Sequence, residues 1–453
     1  MRPQFSTLAE IYEHSVTSFP KRTAAEFVGG AQSYTYAQFR DCCDNISKRL
    51  SNFGIGAGDK VAILSENSPN WSAAFFAITV YGRIAIPMLP ELSAGEVENI
   101  LVHSEAKAIF VSKKQLPKLS AEAIGRLKLV IAIGDLSFIK AEGSSYTCDG
   151  KVSRPTALDT AAILYASGTT GKAKGVMLCH RNFCTNVLTS WYSYKIGPRD
   201  VFLSILPMAH TYEMSIGMLY PFAMGAKVEY LQKVPTPSIL IATLAKIRPT
   251  ALLSVPLIIE KIYRSSIVPT ISKSKFLSYL DKHAKGLLYT MVGMKLKKTF
   301  GGRIGFFGIG GAKLDPEVEV FLKKARFPYA IGYGLTETAP LICSAAPRRT
   351  WPGTTGRPVK GIEVKLEDVN PQTGEGEICV KGPNVMLGYY KDYERTESVL
   401  SQDGWFRTGD LASVDKKGRY SIKGRLGSVI IGASGENIYP EEIENVINSM
   451  EGI

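Results

Sequence analysis

Tyr165-Ala-Ser-Gly-Thr-Thr-Gly-Lys-Ala-Lys-Gly175 is the stretch on which the reading of this chain turns. It follows Ala161, Ala162, Ile163 and Leu164, an apolar run that predicts a buried strand. The stretch itself holds three glycines, three hydroxyls and two lysines, too little apolar surface to build a core. Glycines let backbone N–H groups turn towards an anion, hydroxyls add donors and lysines add charge, so the loop suits phosphate. Walker A spacing is absent: five residues after Gly168 comes Ala173, and no Gly-Lys-Ser/Thr follows. Apolar runs of strand length recur at Val61–Leu64, Ala108–Val111, Leu129–Ile133 and Ala251–Val255, alternating with helical patterns. Continuous apolarity predicts strands buried on both faces, hence an α/β fold with parallel sheets.

The chain has 453 residues, 45% hydrophobic and 21% charged, enough for two or three core-forming units. Its start, Met1-Arg-Pro-Gln-Phe-Ser, lacks the apolar region of a signal peptide. The best candidate for a membrane span, Ala73 to Leu89, is interrupted by Gly82, Arg83 and Pro87. Seven cysteines, including the adjacent Cys42 and Cys43, show neither metal nor disulfide spacing, so a cytoplasmic location is expected. The net charge of +13 is concentrated: residues 261–303 hold eight lysines and two arginines against one acid, Asp281. Phe276, Leu277, Leu280, Ala284, Leu287, Leu288 and Met291 recur there at helical spacing, which predicts a basic amphipathic helix. It reads either as a solvated face or as an attraction to an anionic membrane surface or to a polyphosphate ligand. No aromatic interleaving or known motif points to nucleic acid.

Three domains are expected. An α/β body spans 1–352, a β-rich subdomain 353–424, and a hinge with the start of a further domain 425–453. Residues 136–156 read as a loop. Near the end, Pro440 opens a helix with acids in its first turn, and Ile443, Val446, Ile447 and Met450 form an apolar stripe. The stripe reads as the first piece of a domain cut at Ile453.

Four further segments carry polar chemistry. Pro207-Met-Ala-His-Thr-Tyr-Glu213 follows the run Val201 to Leu206, and its His210 reads as structural or catalytic. Gly308-Ile-Gly-Gly-Ala-Lys313 permits the close approach of a flat ligand, or a tight turn. Gly332-Tyr-Gly-Leu-Thr-Glu-Thr338 sets an aromatic, hydroxyls and a carboxylate side by side, and Thr408-Gly-Asp410 with Gly424-Arg425 completes the set. In this order the segments resemble the adenylate-forming superfamily of acyl-CoA synthetases, luciferases and peptide-synthetase adenylation domains. The resemblance runs from Thr35-Tyr36 to Ile453. The His-Thr-Tyr-Glu segment and the Gly435–Pro440 ending look most like bacterial long-chain fatty acyl-CoA synthetases.

The resemblance implies a large domain of two related α/β-layered sheets, a smaller β-rich subdomain and a stub of an α+β lid. It also implies ATP, Mg²⁺ and coenzyme A as cofactor and co-substrates. A fatty acid would attack ATP to give an acyl-adenylate and pyrophosphate, and the CoA thiol would then displace AMP. By the same resemblance Ser167, Gly168, Thr169, Thr170, Gly171 and Lys172 would grip the β- and γ-phosphates. Thr169 and Glu337 would place Mg²⁺, and Thr336 would donate to the α-phosphate. Tyr333 would cover one adenine face, with Gly310, Gly311 and Ala312 on the other and Gly334 in the same set. Asp410 would accept from the ribose hydroxyls, supported by Arg425. His210 would orient the carboxylate, completing a catalytic set with Thr336, Glu337 and Lys172. Lys174 is divided between phosphate contact and solvent. Trp191, Tyr212, Met214 and Met218 are candidates for an acyl tunnel or for ordinary core.

Gly427 departs from the family, which places Asp or Lys at that pivot; glycine keeps its conformational freedom and loses its contacts. The lid lysine and the CoA tunnel lie beyond Ile453 in the family, so this chain alone is expected to bind its substrates and turn over poorly. Two alternatives stay open: loading of an acyl group onto a carrier-protein phosphopantetheine, and a non-catalytic module that senses a nucleotide or acyl-adenylate. Homodimerisation also stays open.

Overall fold

A computed structural model describes residues 4–143, 154–166, 174–233, 235–428, 430–431 and 437–438. The chain forms two compact units. The first comprises Met1–Leu253, Thr336–Pro340 and Pro383–Thr396; the second comprises Ser254–Leu335, Leu341–Gly382 and Glu397–Ile453.

In the first unit one sheet runs in the order Gly388–Tyr389, Lys174–Cys179, Thr160–Ala166, Ile84–Met88, Lys60–Leu64, Ala108–Val111, Leu129–Ala132, Phe138–Ala141. Its interior pairs are parallel and its outer pairs antiparallel. All four residues of Ala108–Val111 are buried, as are Val61 to Leu64, so both faces are covered. Ala62, Leu64, Ile109, Val111 and Val130 alternate onto one face and pack with Val97, Ile100 and Leu101 of helix Ala94–Ser104. Each such aliphatic side chain contributes about 1.5–3 kcal/mol by leaving water. The helix begins at a reciprocal cap, Ser93 with Glu96, which satisfies two backbone donors. A second group of strands is ordered Ala251–Ser254, Val201–Ser204, Lys227–Tyr230, Thr23–Phe27, Ser33–Thr35.

The apolar stretch Ala73 to Leu89 is interior material. Helix Pro69–Thr79 is buried all round, and strand Ile84–Met88 follows after a turn at Gly82 with φ +75°. Arg83 is buried and donates to Ile55 O at 2.9 Å and Ser47 Oγ at 3.0 Å. Among the described residues no helix is long and apolar enough to cross a membrane. Residues 136–156 are not all loop, because Phe138–Ala141 pairs antiparallel with Leu129–Ala132. Phe138 and Ile139 are both exposed, so this edge strand carries no apolar alternation to betray it.

In the second unit the parallel strands Phe306–Ile309 and Tyr329–Gly334 continue into antiparallel Leu341–Ala345 and Arg357–Pro358. A four-stranded antiparallel sheet follows, ordered Glu363–Glu367, Gly376–Lys381, Phe406–Val414, Tyr420–Arg425. The basic segment is not one helix. It forms Pro256–Ile262, Tyr263–Ile267, Val268–Lys273, Lys275–His283 and Lys285–Thr299. Ser274 caps the fourth piece by accepting from Leu277 N, and Ala284, at φ −146°, breaks the chain between the last two. Gly427 lies in the turn Leu426–Ser428, and Ile430–Ile431 pairs with Asn437–Ile438; the stripe from Ile443 to Met450 falls outside the described residues.

Candidate active site

The second unit contains a cleft of about 240 Å³. Gly311, Ala312, Tyr333, Gly334, Asp410 and Arg425 line it, brought from four places in the chain. Gly311 sits in the turn after strand Phe306–Ile309 at φ +87°, where a side chain would be strained although space is open. Gly310 is buried, and its N–H donates to Ser254 O at 3.3 Å. Tyr333 comes from the end of strand Tyr329–Gly334.

The Thr-Gly-Asp run explains itself locally. Thr408 Oγ1 donates to Ile378 O at 2.9 Å and accepts from Asp410 N at 3.1 Å. Gly409 takes φ +73°, and its N–H donates to Glu377 Oε1 at 2.9 Å. The backbone is therefore bent so that Asp410 faces the cleft while 5% exposed. Asp410 and Arg425 stand opposite each other on adjacent antiparallel strands, which puts their side chains on one face. Arg425 Nε lies 3.3 Å from Asp410 Oδ1, and the Tyr333 hydroxyl donates to Asp410 Oδ2 at 2.7 Å. Burial and the Asp410 charge push the Tyr333 phenol well above its ordinary range, so it stays a donor.

The first unit holds another constellation. The turn Thr336–Thr338 is clamped from three sides. Asn186 Nδ2 donates to Thr338 O at 3.1 Å, Ser215 Oγ to Ala339 O at 2.7 Å, and Met386 N to Glu337 O at 2.8 Å. Glu337 is 7% exposed. Its Oε1 accepts from Lys174 Nζ at 2.7 Å and from the Tyr389 hydroxyl at 3.0 Å. Lys174 Nζ also lies 4.4 Å from the Tyr389 ring centroid. Pairing of Gly388–Tyr389 with Val176 and Met177 carries Tyr389 to this position. Burial, then the Glu337 charge, raises the Tyr389 phenol, which keeps its proton for the carboxylate. Sequence reasoning missed Tyr389; the only signal was an aromatic after Gly388, in a run read as short β texture.

His210 is exposed at a turn in which its N–H donates to Pro207 O at 3.0 Å. Desolvation by the surrounding protein lowers its pKa below 6.5, so the ring is neutral near pH 7. The next residues enter a π-helix, Glu213–Leu219, in which Met214 and Met218 are buried. Ser167, Gly168, Thr169, Thr170, Gly171 and Lys172 lie outside the described residues. Their described neighbours, Thr160–Ala166 and Lys174–Cys179, are paired antiparallel strands. Magnesium bound with a nucleotide takes one or two carboxylates plus phosphate oxygens. Glu337 fits that demand: it is a hard oxygen donor whose environment already attracts a cation, Lys174.

The family model described as AMP-binding enzyme matches residues 12–390. The peroxisomal long chain acyl-CoA synthetase 6 of Arabidopsis thaliana is 32% identical over 98% of this chain and 70% of its own length. A long-chain-fatty-acid–CoA ligase of Mycobacterium bovis is 28% identical over 88% of this chain and 70% of its own. Among solved structures, ATP-bound MatB from Rhodopseudomonas palustris aligns with a TM-score of 0.79 at 26% identity, covering 98% of this chain and 84% of that one. These matches show that the chain belongs to the AMP-binding, adenylate-forming family of acyl-CoA synthetases.

Proposed function

We propose that this chain supplies the nucleotide- and acid-binding part of a reaction that activates a long-chain fatty acid with ATP and transfers it to coenzyme A. The acid's carboxylate oxygen attacks the α-phosphorus, the bond to pyrophosphate breaks, and an acyl-adenylate forms. The CoA sulfur then attacks the acyl carbonyl as its proton leaves, and AMP departs. No general base is needed for the first step, since a fatty acid ionises near the ordinary carboxylate value of about 4.3.

The observation that carries this reading is Asp410. A buried carboxylate faces the cleft beside an aromatic ring and an arginine, as a vicinal diol of a nucleoside demands. A carboxylate has about four lone-pair sites, so the ribose hydroxyls can be accepted alongside Tyr333 and Arg425. Tyr333 then lies against adenine, with the open turn at Gly311 and Ala312 admitting the other face. Glu337, together with Thr169, would hold magnesium, and Lys174, now paired with Glu337, would turn its charge to phosphate. Bound magnesium supplies charge neutralisation as one anion attacks another. Thr336 donates to the α-phosphate, the Ser167–Lys172 loop holds the outer phosphates, and neutral His210 orients the carboxylate. The long-chain substrate class is supported by the names of the relatives, and a reducing cytoplasm by six unpaired cysteines among the described residues.

Calorimetric titration with non-hydrolysable palmitoyl, acetyl and amino-acyl adenylate mimics tests the reading. Tightest binding of the palmitoyl form is expected. Preference for either of the others would move the chain to another substrate class, and binding of none would sink the nucleotide assignment.

A further inference from the structure

We propose that helices Lys275–His283 and Lys285–Thr299 form a docking face for an anionic phospholipid bilayer. The inference rests on their surface alone and is independent of the chemistry assigned to the cleft. Each helix has a committed inner side. Leu280 is buried on the first, and Leu288, Val292, Gly293 and Leu296 on the second. At Gly293 the approach is so close that an added Cβ would lie 2.1 Å from Ala325 O, at the end of helix Pro316–Lys324. That contact fixes which side of Lys285–Thr299 turns outward.

The outward sides are not what a solvated surface requires. Phe276 and Tyr279, three residues apart, are 58% and 61% exposed; Leu287 and Met294, seven apart, are 53% and 63% exposed. Each helix therefore shows a second apolar stripe that none of the described residues covers. Lys275, Lys282, Lys285, Lys295, Lys297 and Lys298 are exposed around these stripes. Upstream, Leu257 and Val268 add exposed apolar surface at 70% and 41%. A solvated helix face alternates charge sign, whereas residues 261–303 contain a single acid, Asp281. Apolar side chains that enter the acyl boundary, ringed by lysines whose stems lie along it and whose ammonium groups reach phosphate, satisfy both features together. Nucleic acid would use the charge and leave the aliphatic side chains unexplained.

Co-sedimentation of the full chain with phosphatidylglycerol vesicles, and with phosphatidylcholine vesicles as the neutral comparison, tests this. Binding to phosphatidylglycerol is expected to exceed binding to phosphatidylcholine. It should fall as salt rises, since the screening length shrinks to about 10 Å at 0.1 M. Changing Lys295, Lys297 and Lys298 together to glutamine should lower the partition coefficient on the order of a hundredfold at low salt, from roughly fivefold per lysine. A Phe276→Ser, Leu287→Ser, Met294→Ser variant, its helix content checked by circular dichroism, should lose roughly tenfold or more even where charge is unchanged. Equal binding to both vesicle types, or unchanged partition in both variants, overturns the proposal. So does a concentration-dependent dimer in sedimentation velocity that the serine variant dissolves, because a second copy would then cover the face.

Discussion

Replacing Glu213 by glutamine tests the electrostatics of the first unit at its most exacting point. The carboxyl is 2% exposed. Its Oε2 has no hydrogen-bond partner among the described residues, and an added Cβ on Gly217 would lie 2.7 Å from the carboxyl carbon, so the space is full. Burial pushes its pKa from 4.5 up to about 8, against the smaller opposing effect of a hydrogen bond from Ser204. Near pH 7 the folded chain therefore holds a proton there that the unfolded chain has released. Below pH 4.5 both states are protonated and burial costs nothing in charge; as pH rises towards about 8 that stability is lost progressively, and above it the loss is complete. At about 1.36 kcal/mol per pH unit, the interval bounds the loss at ~5 kcal/mol. Glutamine has the same shape and no proton to take up. The unfolding free energy of Glu213→Gln, minus that of the parent, should grow by about 3 kcal/mol between roughly pH 5 and pH 8. Urea denaturation at each pH, followed by tryptophan fluorescence and by circular dichroism, measures it, with the slopes compared first to confirm that the same surface is exposed. A difference that stays constant across the range would refute the reasoning.

Tyr389→Phe deletes the hydroxyl that donates to Glu337 at 3.0 Å, a hydrogen bond to a charged group worth about 1.5–3 kcal/mol. Binding of a non-hydrolysable ATP analogue should weaken roughly tenfold with magnesium present and hardly at all without it; equal losses in both conditions would make Tyr389 merely structural. Asp410→Asn keeps the shape and removes the charge facing the cleft, so AMP affinity measured by calorimetry should fall at least about tenfold, and an unchanged affinity removes the ribose assignment. Gly293→Ala should lower stability by about 1–3 kcal/mol or more, because Ala325 O is backbone and cannot swing aside. An unaltered thermal midpoint would mean that the two elements are held apart.

What could be read along the chain was what local chemistry specifies. The run Ala108–Val111 is apolar without a break, and it is a strand with both faces buried. Thr408-Gly-Asp410 bends its strand through a hydroxyl and a left-handed glycine, a local arrangement that residues adjacent in the chain make among themselves. The five spaced motifs were enough to identify the family. Which side chains meet was decided only by the tertiary structure. Tyr389 reaches Glu337 across 52 residues, and Lys174 reaches it across 163. The strand pairing that brings Gly388–Tyr389 beside Val176 and Met177 leaves no periodic trace in so short a segment. The basic stretch shows the same limit from the other side. Its helical spacing is genuine, yet Ser274 and Ala284 interrupt it; Leu287, counted on the apolar stripe, faces outward because the close approach at Gly293 sets the rotation of its helix, and Phe276 is exposed on the preceding one. Propensity and periodicity belong to neighbours along the backbone. Burial, and the shift of Glu213 that follows from it, belongs to neighbours in space, which a chain acquires only by closing its long loops.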